Sequence, residues 1–148
     1  MAESHSFSVR TTWDAAQDSG RVRNDDGSFD VEHRGAAAFG GAGGAVSPEE
    51  LLLSGVSTCF AHTWGIFVKK LGVPLEALCI HATCLVAPDP AGGFRVTEIQ
   101  LLPEVPKAIW ESHREKLEKT LALAEKYCIV SKAVRGEGRT LKVTPRPC

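Results

Sequence analysis

Residues 51–68 contain no aspartate, glutamate, lysine or arginine, an uncharged run of 18 in a chain of 148. Ser47-Pro48-Glu49-Glu50 stands immediately before it. That tetrad supplies an N-cap serine, a proline at the first helical position and a glutamate at N3, which together make a capping box. Lys69, Lys70 and then Gly72 supply the C-terminal signals. The spacing therefore predicts one long helix. Its length approaches the roughly 20 apolar residues that span a bilayer. Ser54, Gly55, Ser57, Thr58, His62, Thr63 and Gly65 dilute the run, however, and no membrane is expected. A helix apolar on nearly every side is instead expected to be the central, fully buried helix of a soluble fold.

The rest of the composition agrees with a single domain over 1–148: 43% of residues are hydrophobic and 24% charged, with a formal net charge of −1. No basic block offers the concentrated charge on which nucleic-acid or anionic-membrane binding rests, so neither partner is expected. The start of the chain has neither a basic n-region nor an apolar h-region, and the expected location is the cytoplasm. Five cysteines, Cys59, Cys79, Cys84, Cys128 and Cys148, then become informative. No CxxC pair occurs, and a reducing compartment disfavours a structural disulfide framework. Each cysteine is therefore buried filler or chemistry. Cys79 and Cys84 lie five apart on a predicted strand and face opposite sides of it. Cys148 ends the chain and carries no assignment. Cys59-x-x-His62 could share a helix face, but His81-x-x-Cys84 could not share a strand face, and a closed zinc site needs four ligands. No metal and no flavin, haem or nicotinamide cofactor is expected.

Period-two alternation predicts strands over 6–14, 28–34, 75–86, 94–105 and 140–144. Turn signals fall at Asn24-Asp25-Asp26-Gly27 and at Asp89-Pro90-Ala91-Gly92-Gly93. The glycine-rich stretch 35–45 lacks a phosphate-loop pattern and reads as a mobile connection. A second helix is expected over 106–127, followed by a short turn or helix over 131–134. The order β-β-α-β-β-α-β with antiparallel hairpins is an α+β fold.

Two segments carry a resemblance. Ser47-Pro48-Glu49-Glu50-Leu51-Leu52-Leu53-Ser54-Gly55, leading to Cys59-Phe60, is similar to the first signature of the OsmC/Ohr family, and Glu125-Lys126-Tyr127-Cys128-Ile129-Val130-Ser131-Lys132-Ala133 resembles its second. Gly92-Gly93-Phe94 fits the family's middle hairpin, and the two cysteines stand 69 residues apart in the expected elements. The resemblance implies antiparallel sheets packed around a long central helix in an intertwined homodimer. It also implies a thiol-dependent peroxidase that reduces small organic hydroperoxides and is recharged by a dithiol of the lipoyl type. Cys59 would be the peroxidatic cysteine, Cys128 the resolving one, and Glu49 the carboxylate that positions an active-site arginine.

Helix geometry adds a constraint. Glu49 and Cys59 are ten residues apart, roughly 15 Å of axial rise. If both serve one site, Glu49 must come from a second protomer. The sequence also departs from the family pattern. The position expected to carry the arginine falls near Asp18, or alternatively near Ala38-Phe39 in the loop before the helix. Arg21, Arg23 and Arg34 stand nearest as substitutes. Ile129 replaces the proline usual after the second cysteine. These departures sustain an alternative, a non-catalytic OsmC-like protein that binds a small molecule or senses redox state.

Overall fold

A computed structural model describes residues 2–148; Met1, the first residue of the expected 1–148 domain, lies outside the described residues. The chain forms two compact units that divide between Leu52 and Leu53, inside the long helix.

The first unit is a three-stranded antiparallel sheet of β1 (Arg10–Asp14), β2 (Ser19–Arg23) and β3 (Asp30–Arg34), in chain order. Two strands were expected here. The sequence Ser-Gly-Arg-Val-Arg of β2 holds one apolar residue and shows no alternation, and the β1–β2 turn lacks a Gly or Pro signal. Asp14 makes that turn instead, its Oδ1 accepting from Ala16 N at 2.8 Å and Gln17 N at 3.3 Å. Gly20 permits the tight pairing: a Cβ there would lie 1.9 Å from the Thr12 carbonyl oxygen.

The glycine-rich stretch is folded rather than loosely connecting. A 3₁₀ turn over Ala37–Phe39 is closed by Gly41 N donating to Ala36 O at 3.0 Å, and Gly43 N donates to Gly35 O at 3.0 Å. Gly41 is pressed so closely on Gly35 that a Cβ would come within 2.2 Å of the Gly35 carbonyl carbon.

Helix α1 spans Pro48–Lys70. The capping box forms as the sequence predicts, with Ser47 N donating to Glu50 Oε2 at 2.7 Å and Glu50 N to Ser47 Oγ at 3.2 Å. At the other end Val73 N donates to Val68 O and Gly72 N to Lys69 O, a Schellman motif with Gly72 at φ 65°.

The second unit holds the remainder of α1 and a sheet of β4 (Cys79–Pro88), β5 (Phe94–Val105), β6 (Thr140–Val143) and β7 (Arg146–Pro147), with α2 (Lys107–Tyr127) and α3 (Ile129–Val134). β4 and β5 form the expected hairpin. β6 and β7 run parallel to β5 on its other edge, so this sheet is mixed rather than antiparallel. The cause is the helical crossover after β5, which returns the chain to the starting end of that strand.

The core joins one stripe of α1 to one stripe of α2. Val56, Phe60, Trp64 and Val68 recur every fourth residue on α1, and Leu117, Thr120, Leu121 and Ala124 face inward from α2. Trp64 Nε1 donates to Thr120 Oγ1 at 2.9 Å, and that hydroxyl donates to Leu117 O at 2.7 Å, with Trp64 and Thr120 both fully buried.

The expectation of a fully buried α1 does not hold for the single chain. Only that stripe is fully buried, and Ile66 is 62% exposed. One chain of this size provides packing for one face of the helix. By length and composition alone, α1 is long and apolar enough to cross a membrane. Its stripe of Val56, Phe60, Trp64 and Val68 is buried against the rest of the chain.

Replacing Thr120 by valine keeps the shape but strands the Trp64 indole N–H in the core. The variant should lose about 1–3 kcal/mol of unfolding free energy in urea titrations, while Thr120→Ser should lose much less.

Candidate functional site

Cys59 lies three residues past Val56 and one before Phe60, at the edge of the buried stripe of α1 and half-exposed. Thr63 Oγ1 donates to the Cys59 carbonyl oxygen at 2.8 Å, which uses the Thr63 hydroxyl within the helix. Cys128 is fully buried, the residue at which α2 ends and α3 begins. Its backbone N–H donates to Ala124 O at 2.9 Å, and its sulfur accepts from Ser131 N at 3.5 Å. Ser131 Oγ is buried without a hydrogen-bond partner of ordinary geometry, yet stands close enough to the same sulfur to favour its thiolate. A cysteine at this N-cap thus does what serine or aspartate does at an ordinary one.

The two sulfurs are neighbours. Burial pushes the Cys128 thiol above its ordinary pKa, the two Ser131 contacts offset part of that, and Cys59 raises it further as hydrogen-bond partner and as like charge. The direction is upward: Cys128 keeps its proton while facing the more accessible sulfur. This part of the site is a dithiol with one open and one enclosed member.

Glu49, the third residue singled out from the sequence, lies in the first turn of α1 and lines a cavity of about 680 Å³ in the first unit. Its Oε2 is buried and has no hydrogen-bond partner among the described residues. None of the three substitute arginines meets it. Arg21 pairs with Asp30 at 2.8 Å, Arg34 pairs with Glu32 at 2.9 Å, and Arg23 lies beside Arg10 in a shallow depression with Arg21 and Asp30.

Asp18, noted in the sequence as an arginine position, has a structural role. It adopts φ 46°, a left-handed conformation that aspartate tolerates better than most residues. Its Oδ2 accepts from Ala42 N at 2.7 Å and its Oδ1 from Trp13 Nε1 at 3.1 Å. The Ala42, Trp13 and Gly35 donors hold its carboxyl below the usual aspartate range. The part of Trp13 in this arrangement went unseen in the sequence, where it read only as a strand aromatic.

Cys79 is exposed at the start of β4, where the neighbouring Glu104 pushes its thiol pKa up. Cys84 points to the other face of the strand and is half-buried. Cys148 is exposed, its thiol 3.6 Å from Val105 O. Among the described residues no three His, Cys, Asp or Glu side chains converge as a metal site would need.

Residues 41–144 match the family model for OsmC-like proteins. The organic hydroperoxide resistance protein OhrB of Bacillus subtilis (strain 168) is 26% identical over 119 residues, 79% of this chain and 82% of that protein. An organic hydroperoxide resistance protein from Elizabethkingia anophelis has a similar crystal structure, with TM-score 0.75, 24% identity, and 99% and 100% of the two chains covered. The OsmC-like protein of Mycoplasma pneumoniae reaches TM-score 0.80 at 16% identity, covering 98% and 99%. At these identities the two crystal structures speak for the fold.

The burial and protonation of Cys128 lead to a direct test. Iodoacetamide added to reduced, native protein near neutral pH should label Cys59 well before Cys128. The Cys128 rate should climb only at a pH above that of an ordinary thiol, with about a tenfold lag for each unit its pKa is raised. Peptide mapping of timed samples reads both rates.

Proposed function

The chain belongs to the OsmC-like protein family, and from that premise we propose that it is a thiol-dependent peroxidase for organic hydroperoxides. The observation that carries the reading is the pairing of a half-exposed Cys59 with a fully buried, protonated Cys128 on a separate element. Two equivalent exposed thiols would react indiscriminately. One open and one enclosed thiol divide the labour. The relative named for organic hydroperoxide resistance points to the same chemistry.

In the first step the Cys59 thiolate attacks the distal peroxide oxygen. The O–O bond breaks, the alkoxide leaves with a proton as alcohol, and sulfur is oxidised to a sulfenic acid. In the second, the Cys128 sulfur gives up its proton and attacks the Cys59 sulfur, releasing water and forming a disulfide. A small dithiol of the lipoyl type then reduces that bond by exchange and leaves as its own disulfide. Cys128 need not be ionised at rest, because the sulfenic oxygen departs as water and takes up its proton. The thiolate at Cys59 draws little from the dipole of α1, since it stands mid-helix.

We further read the working form as a homodimer. The exposed face of α1 with Ile66 needs cover, and Glu49 serves the reaction only if a second copy supplies it, because ten helical residues advance roughly 15 Å. One observation favours the alternative of a non-catalytic binding protein: the buried Glu49 oxygen has no arginine partner.

The deciding experiment is intact-mass spectrometry of reduced protein before and after one equivalent of cumene hydroperoxide. The peroxidase should lose two hydrogens, mapped to a Cys59–Cys128 bridge. Cys59→Ser should lose all turnover, and Cys128→Ser should accumulate sulfenic acid and then over-oxidise. An unchanged mass with both thiols still alkylatable would overturn the reading in favour of binding without catalysis. A monomeric mass by light scattering at micromolar concentration would remove the dimer.

A further inference from the structure

Beside the enclosed thiol stands a hydroxyl with nothing to bond at rest. Ser131 is fully buried, and among the described residues its Oγ has no hydrogen-bond partner of ordinary geometry. A buried hydroxyl left so is costly, and structures seldom keep one. Local geometry explains why this one is idle. Ser131 is the third residue of α3, the place from which a side chain ordinarily reaches back to the backbone N–H of the N-cap residue. Here the N-cap is Cys128, and its N–H already donates to Ala124 O at 2.9 Å, closing α2. The Cys128 carbonyl accepts from Lys132 N at 3.2 Å.

What remains within reach is the Cys128 sulfur. Ser131 N donates to it at 3.5 Å, and the hydroxyl is only three bonds from that nitrogen. At rest the sulfur is protonated: burial pushes the thiol up, Cys59 adds to the rise, and the Ser131 contacts offset only part of it. A neutral thiol is a weak acceptor, so the hydroxyl stays unsatisfied. A thiolate is a strong one. Loss of the proton therefore turns an idle donor into a charge-assisted hydrogen bond, with no side chain to bring in from elsewhere. An interaction that is poor at rest and good once charge develops is the kind that lowers a barrier.

We propose that the Ser131 hydroxyl donates to the Cys128 sulfur as that sulfur sheds its proton, and so sets the rate at which the disulfide closes. The inference rests on the peroxidase reading and adds a residue to its second step. In that step the Cys128 S–H bond and the Cys59 S–O bond break, and the S–S bond forms. The Cys128 proton leaves on the sulfenic oxygen as water. The Cys59 sulfur is reduced from the sulfenic state, the Cys128 sulfur is oxidised, and Ser131 keeps its own proton throughout.

Ser131→Ala and Ser131→Thr test it. Reduced protein is mixed with one equivalent of cumene hydroperoxide, quenched with acid at timed intervals and weighed intact. Ser131→Ala should accumulate Cys59 sulfenic acid, its closure to the disulfide slowed about tenfold, as expected for losing a hydrogen bond to a charged group. Ser131→Thr, which keeps the hydroxyl, should close at close to the wild-type rate. A second readout needs no peroxide. In reduced protein the pH midpoint for iodoacetamide labelling of Cys128 should rise by about one unit in Ser131→Ala. A merely structural serine would give the opposite sign, since loosened packing exposes Cys128 and speeds its labelling. Closure of Ser131→Ala at the wild-type rate, an unmoved midpoint, or faster labelling would each overturn the proposal. Should Ser131→Ala fail to fold, the wild-type protein decides. Its Ser131 hydroxyl proton should exchange slowly with water and show a nuclear Overhauser contact to the Cys128 β-protons, and a freely exchanging proton would overturn the proposal. Wild-type protein that forms no disulfide would remove the peroxidase reading itself, whereas equal closure in wild type and Ser131→Ala would remove Ser131 alone.

Discussion

The meeting of two helical stripes in the second unit is the condition on which the dithiol depends. Val56, Phe60, Trp64 and Val68 are the covered residues of α1, and the Trp64–Thr120 hydrogen bond fixes where along α2 that stripe rests. Leu117, Leu121, Ala124 and Cys128 follow one another at intervals of four, three and four, so Cys128 continues the inward row of α2 past its last turn. Its complete burial is a property of that row. Cys59 occupies the flank of the opposing stripe, and its partial exposure follows in the same way. Asymmetry between the two thiols is thus set by helix packing, before any electrostatic effect is considered.

Electrostatics then sharpens the division. The enclosed thiol is raised by burial and by its neighbour, and the N-cap contacts from Ser131 moderate the rise. In the reaction proposed above, an enclosed thiol that stays neutral at rest would not compete with Cys59 for peroxide. It also avoids placing two thiolates side by side, an arrangement that like-charge repulsion makes unfavourable. Ser131 has a double task here, donating its backbone N–H to the Cys128 sulfur that caps α3 and holding a buried hydroxyl near the same sulfur.

How far the sequence could be read varied with the kind of signal involved. The capping box, the Schellman end at Gly72, the β4–β5 hairpin and α2 were legible because each is written in residues a few positions apart. β2 was not, since Arg21, Val22 and Arg23 give one apolar residue and no period. The parallel pairing of β6 with β5 depends on a crossover that no local pattern records. The burial of α1 was over-read for a related reason. Composition counts apolar residues on all sides of a helix, but burial depends on what the remaining chain can place against it. Cys59, Cys128 and Glu49 could be picked out by their contexts. The cavity could not, because Trp13, Asp18, Phe39 and Glu49 come from four separate segments joined by glycine contacts at Gly35 and Gly41.

The charge pattern of the first unit bears on the proposed reaction. Its arginines Arg21 and Arg34 are committed to Asp30 and Glu32, while the cavity holds carboxyl groups alone. A thiolate in the middle of α1 gains from positive charge nearby and gains nothing from two carboxylates. In the dimer we propose, Glu49 of a second copy brings negative charge toward Cys59, so a working thiolate there draws its stabilisation from positive charge elsewhere in the assembly and from the peroxide it attacks.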